Sequence, residues 1–213
     1  MQPIALLALA SALVLAAASH EEAGFELIFD GKTLDGWKLL GKKGQGYEVA
    51  DGAITCVKGS GGNLLYEEQL TDFVLRFEFK LESGANNGLC IRCPMSSKDL
   101  AYAGNELQII DNSADRYKDI KSWQKHGSLY NVKGAKTGFL KPVGQWNRQQ
   151  VTVSGTTIRV VLNGHQILDV DTATVQDSAT LAKHPGLQRS SGHIGFLGHN
   201  EPVKFRRILV KRL

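Results

Sequence analysis

The 213-residue chain is predicted to be an all-β protein, a two-sheet sandwich of jelly-roll type. Three observations carry this. About a dozen short runs are rich in β-branched and aromatic residues and are bounded by Gly, Asn or Asp. Helical patterning is confined to two brief segments, SSKDLAY and TATVQDSATLAKH, while 23 glycines supply the turns. No unit of about 20–50 residues repeats, which sets aside propellers and solenoids.

In chain order the strand signals are FELIFDG, GWKLL, YEVADGAITCV, NLLYEE, DFVLRFEFKL, GLCIRC, ELQIID, SLYNV, QQVTVSG, TIRVVLNG, QILDVD, HIGFLGH and VKFRRILVKRL. The fifth alternates cleanly: Phe73, Leu75, Phe77, Phe79 and Leu81 face one way, and Arg76, Glu78 and Lys80 the other. TIRVVLNGHQILDV reads as a hairpin turning at Asn163-Gly164, because both central residues of that turn need a positive φ. Two longer polar segments, PMSSKDLAYAGN and NSADRYKDIKSWQKHG, flank the ELQIID strand, and loops of that length often cover a site.

The N-terminus differs in kind. Ile4 to Ala18 is an unbroken run of apolar and small residues ending in Ala16-Ala17-Ala18. It falls short of the roughly 20 residues needed to span a bilayer, so residues 1–19 are read as a secretory signal peptide. No Lys or Arg precedes the run, and no cysteine follows it that could carry a lipid anchor. The mature chain is expected to begin between Ser19 and Gly24, to form one domain over residues 24–213, and to work in the periplasm or outside the cell without a membrane anchor.

Charge narrows the partners. With 25 basic and 21 acidic residues the formal net charge is +4, and no basic block appears, so nucleic acid is not expected. The tail KFRRILVKRL alternates charge with apolar residues as a solvated strand face does. Cys90 and Cys93 lie in a strand-like run and are expected on opposite faces, which argues against a redox or zinc C-x-x-C. One disulfide involving Cys56 would leave one thiol over.

The stretch GNELQIIDNS concentrates polar groups. Alternation puts Glu106, Gln108 and Ile110 on one face and Leu107, Ile109 and Asp111 on the other. Arg92 is expected on the Glu106 face if the two strands are neighbours, either as a surface ion pair or as part of a carbohydrate site. A conventional glycosidase needs two carboxyl groups about 5–9.5 Å apart. In laminarinase-like glucanases of this sandwich class one strand supplies both. This strand supplies one, unless a bulge turns Asp111 inward. Among the six histidines His20 sits at the processing site; His126, His165 and His184 are in turns or loops; His193 and His199 flank the HIGFLGH strand. No H-x-x-x-H pair points to zinc, and His199, ending a strand, is a candidate proton donor at a rim. Trp123 is a better candidate sugar platform than Trp37 or Trp146.

Five motifs then occur in order: FELIFDGKTLDGW, GGNLLYEEQLTDFVLRFEFKLESGANNGLCIR, NELQIIDN, VGQWNRQQVTVSGTTIRVVLNG and GHIGFLGHNEPVKFRRILVKRL. Together they resemble the 3-keto-disaccharide hydrolase domain of bacteria over essentially the whole mature chain. The resemblance implies a concanavalin A-like fold of the lectin and glucanase type, acting on a small carbohydrate already oxidised to a ketone at carbon 3. Such a ketone acidifies the hydrogen on carbon 2, so one base suffices for elimination of the aglycone, followed by hydration. By position the resemblance implies Glu106 as base, Arg92 as donor to the enolate and His199 as acid or sugar ligand. Asn87 and Gln108 would hold hydroxyls, with Asp111 a further site residue. This fold class admits calcium, but no ligand run supports one, and no cofactor is expected. The competing readings are a non-catalytic carbohydrate-binding module and a conventional glycosidase drawing a second carboxylate from Glu78 or Glu48.

Overall fold

The computed structural model describes residues 23–96 and 98–213. The expected signal peptide lies outside them. Thirteen strands are present among the described residues: β1 (Glu26–Leu27), β2 (Trp37–Lys43), β3 (Tyr47–Ala50), β4 (Ala53–Cys56), β5 (Gly61–Tyr66), β6 (Phe73–Leu81), β7 (Asn86–Cys93), β8 (Asn105–Ile110), β9 (Trp146–Ser154), β10 (Thr157–Leu162), β11 (His165–Asp171), β12 (His193–His199) and β13 (Val203–Arg212). Two short helices, α1 (Leu100–Ala103) and α2 (Ser178–Lys183), lie where the two helical patterns were read. No helix among the described residues is long and apolar enough to cross a membrane.

Two antiparallel sheets pack as a sandwich. The larger has the order β11-β10-β9-β6-β13-β4-β3, with β1 added on β13; the smaller runs β2-β5-β12-β7-β8. Alternation decides which side chains fill the space between them. From β6, Phe73, Leu75, Phe77, Phe79 and Leu81 are all buried. Phe205 of β13 stacks on Phe196 of β12 at 3.7 Å, which in turn stacks on Trp37, tying the two sheets through one aromatic column. The indole N–H of Trp37 donates to the Ile28 carbonyl at 2.8 Å, so its polar atom is satisfied inside the core. The β10–β11 hairpin turns at Asn163 (φ 51°) and Gly164 (φ 90°), the left-handed pair expected from Asn-Gly.

One expected strand is reduced. SLYNV pairs only through Leu129, which bridges Leu107 of β8. The Gln108 amide donates to the Ser128 carbonyl and the Tyr130 amide to the Glu106 carbonyl. These bonds cover the open edge of β8, the last strand of its sheet.

His126, at the end of the second polar segment, is buried against the core, where its Nε2 and the Gln149 Oε1 are 3.0 Å apart and its ring stacks on Phe79. Burial pushes its pKa down to about 4. The unfolded chain therefore binds a proton on this residue below about pH 6.5 that the folded chain refuses, and stability falls with pH from there to about 4, by on the order of 3 kcal/mol. Chemical denaturation at pH 7 and pH 4.5 should show the loss. It is best read in a Glu106→Gln background, because that buried carboxyl titrates in the opposite sense over the same range. A denaturation free energy that stays level across this interval would refute a neutral, buried His126.

Candidate functional site

The outer face of the five-stranded sheet carries the polar cluster. In the β7–β8 register Cys90 lies opposite Glu106, Gly88 opposite Gln108, and Asn86 opposite Ile110. Leu107 and Ile109 point into the sandwich, so Glu106 and Gln108 point outward. They are nonetheless buried, because the two polar segments fold over this face while residues 127–130 pair alongside β8. Beneath α1 a small apolar cluster of Leu65, Cys90, Cys93, Leu100 and Leu197 holds the first segment down.

What remains open is a cavity of about 230 Å³. Asn86, Glu106, Gln108, Gln124 and His199 give it a polar side, and Tyr102, Tyr117, Tyr130, Ala101, Ile110 and Ile120 an apolar one. Gly88 shapes the floor. A Cβ on it would lie 2.0 Å from the Glu106 Oε1, so the carboxyl group occupies the space that any other side chain would fill.

The electrostatics follow from burial. Loss of water alone pushes the Glu106 carboxyl up to about 8. No basic side chain forms an ion pair with it among the described residues. The Gln108 Oε1 is buried without a hydrogen-bond partner. His199 sits at the rim, and desolvation outweighs the nearby Glu201 charge in lowering its pKa. Among the described residues no group of three or more His, Cys, Asp or Glu side chains is placed to hold a metal ion.

Four of the expected site residues lie elsewhere. Arg92 does not meet Glu106. Between β7 and β12 the register runs Gly195 to Cys90 and then His193 to Cys93, so two residues of β7 oppose one of β12. This bulge, with Arg92 at φ 51°, breaks the side-chain alternation on which the Arg92 placement rested. Its guanidinium binds Asp72 Oδ1 at 2.9 Å and the carbonyls of Thr71, Gly155 and Arg189, fastening loops away from the cavity. The same bulge brings Cys90 and Cys93 to one face, where they form a disulfide, contrary to the expected opposite facing. Cys56 is a buried free thiol pushed up to about 11 by burial.

Asn87 faces inward. Its Nδ2 donates to the Tyr47 hydroxyl at 3.2 Å, and Asn86, one residue earlier, lines the cavity instead. Asp111 does not turn inward either: it accepts from the Gly84 and Ser113 amides at 2.9 Å and borders a separate cavity of about 470 Å³. Trp123 is absent from the cavity lining and packs edge-on against Tyr130 at 5.2 Å. Of the alternative carboxylates, Glu78 lies on the outer face of the larger sheet, bound to Arg206 at 2.8 Å and Arg148 at 3.3 Å. Glu48 accepts from Gln45. Neither reaches the cavity, where Glu106 is the one carboxyl among the described residues.

Sequence reading missed Tyr130, Tyr102, Asn86 and Gly88. For Tyr130 a signal existed, since in SLYNV an inward Leu129 makes Tyr130 point outward.

The model of the 3-keto-alpha-glucoside-1,2-lyase-like domain family matches residues 24–211. The chain belongs to this family. The lyase-like domain thus spans both sheets and every residue of the cavity. Among related proteins, a 3-keto-disaccharide hydrolase of Bacteroides thetaiotaomicron is 28% identical over 230 residues, covering 89% of this chain and 79% of its own. Two crystal structures of candidate glycosyl hydrolases from Parabacteroides distasonis share the fold. One superposes with a TM-score of 0.76 at 24% identity, covering 89% of this chain and 99% of its own. The other has a TM-score of 0.74 at 23% identity, with 89% and 94% covered. The two-sheet jelly roll is therefore the fold of the lyase-like domain here as in those structures.

Proposed function

We propose that the chain cleaves the glycosidic bond of glycosides oxidised to a ketone at carbon 3, by elimination and then hydration. The observation that carries this is a single buried carboxyl, Glu106, lining a cavity of about 230 Å³ with no second carboxyl beside it among the described residues. Ordinary glycoside hydrolysis uses two such groups, one as acid and one as base or nucleophile. Removal of a proton next to a ketone uses one base with a pKa near the working pH. Glu106 takes the proton from carbon 2. With Arg92 elsewhere, the Gln108 amide, on the same face of β8, is the group to donate to the developing enolate oxygen. Asn86 and His199 hold ring hydroxyls at the rim. The cavity, below the roughly 300–1,000 Å³ of drug-sized ligand sites, suits one sugar ring with its aglycone outside. The burial of Glu106 also favours turnover over the binding-module reading, which calls for an exposed carboxyl beside an aromatic platform. The apolar leader supports an activity in the periplasm or outside the cell.

The test is to incubate the protein with a glucoside and with its 3-keto derivative. Aglycone release from the keto form alone is expected; release from the plain glucoside alone would sink the proposal. As the base acts when ionised, kcat/KM on the keto substrate should rise about tenfold per pH unit and level off near pH 8. A profile flat from pH 5 to 9 would remove Glu106 from the base role.

A further inference from the structure

The elimination just proposed leaves one step without a group: protonation of the departing aglycone oxygen. We propose that Tyr130 is the acid that performs it. This rests on the keto-glycoside reading and adds a second catalytic residue to it. The placement comes from the backbone. Leu129 bridges Leu107 and the Tyr130 amide donates to the Glu106 carbonyl at 2.9 Å, so Tyr130 and Glu106 are cross-strand partners. Both side chains leave the same face and both line the cavity. Directly opposed residues of an antiparallel pair hold their Cβ atoms about 5 Å apart. That spacing matches the chemistry, because the proton removed and the oxygen expelled are on adjacent carbons.

The other candidates fit less well. His199 lies on β12, two strands away from Glu106 across β7, a separation of roughly 10 Å. The Tyr117 hydroxyl donates to the Gly84 carbonyl at 3.3 Å, and its ring is covered by Arg116. Tyr102 packs on His184 at 4.5 Å with Lys183 over its ring. Tyr130, by contrast, is held upright by Trp123 and Tyr102, both edge-on to its ring. Desolvation raises its pKa, with the neighbouring Tyr102 and Glu106 adding to the rise, and a hydrogen bond with the Gln124 side chain offsets part of it.

The proton count closes. Glu106 removes the proton from carbon 2, and the electron pair of that bond forms the enolate. The enolate collapses to the carbon 1–carbon 2 double bond and expels the aglycone oxygen, which takes the Tyr130 proton. In the second half the phenolate of Tyr130 takes a proton from water as its oxygen bonds to carbon 1. Glu106 then returns its proton to carbon 2, and both residues are restored with no further reactant.

The experiment compares Tyr130→Phe with the parent protein on two 3-keto-glucosides, one with an alkyl aglycone and one with 4-nitrophenol, which leaves without an acid. Release of the alkyl aglycone should fall about 10²–10⁴-fold and release of nitrophenol by less than about tenfold. Exchange of the carbon 2 hydrogen of 3-ketoglucose in deuterated water, which needs Glu106 and the Gln108 donor but no acid for a leaving group, should stay within about threefold and shows that the variant is folded and its base intact. Equal losses on both aglycones, or an exchange rate that falls with release, would overturn the assignment to Tyr130. A parent protein inert on both keto-glucosides would instead overturn the reading on which it rests.

Discussion

Replacing Glu106 by glutamine should abolish aglycone release from a 3-keto-glucoside and at the same time stabilise the protein at alkaline pH. The first effect is loss of the base, worth about 10²–10⁴-fold in rate. The second follows from burial. The carboxyl titrates near 4.5 in the unfolded chain and at about 8 in the folded one. Its folded-state pKa is raised, so the folded protein binds more protons between these values. Stability is complete below about pH 4.5 and is lost as pH rises toward 8, by on the order of 4 kcal/mol. Glutamine carries no charge and escapes that loss. The variant and parent should therefore unfold alike near pH 4.5 and diverge by pH 9, as read from urea midpoints. Turnover undiminished in Glu106→Gln would exclude the residue as base, and midpoints that never diverge would show that its carboxyl is not held neutral by burial.

Gly88→Ala should be nearly as damaging to activity, by a different route. Gly88 does not occupy the left-handed region of backbone space, so alanine fits its main chain. The added methyl would nevertheless come within 2.0 Å of the Glu106 Oε1 and 2.7 Å of its Cδ. The carboxyl must swing aside, and a displacement of about 1 Å in a catalytic group costs about 10²-fold in rate. Because the nearest obstructed atoms all belong to the Glu106 side chain and none to the backbone, global stability should change less than activity. Activity within about threefold of the parent in a folded Gly88→Ala protein would mean that the carboxyl does not need its place over β7.

The two variants probe one feature from two sides, since Glu106 matters for what it is and Gly88 for what it lacks. His126 and Glu106 also illustrate how burial acts on opposite charges. It holds the imidazole neutral to about pH 4 and the carboxyl neutral to about pH 8, so their contributions to the pH dependence of stability oppose one another between about 4.5 and 6.5.

Much of this molecule was legible in the order of its residues. Strand alternation is a local property with a period of two, so β6 could be assigned its buried face from Phe73 to Leu81, and β8 its outward Glu106 and Gln108. Asn163-Gly164 specified its hairpin because few residues accept two successive positive φ angles. The absence of a second carboxylate on the Glu106 face could be seen for the same reason.

Tertiary structure decided the rest. A single bulge in β7 shifts the alternation by one residue, sends Arg92 to Asp72 and joins Cys90 to Cys93; nothing local announced it. Asn87, by contrast, shares the inward face of Leu89 and Ile91, so for this doublet alternation alone already pointed to Asn86 as the cavity residue. The cavity itself exists only because distant segments fold back over the sheet. Loop positions are fixed by contacts across the fold, such as the Leu129 bridge that sets Tyr130 opposite Glu106. By itself, then, the sequence determined the jelly roll and the one outward carboxylate, both consequences of short-range periodicity. The neighbours of that carboxylate, its burial and its pKa of about 8 came from long-range packing.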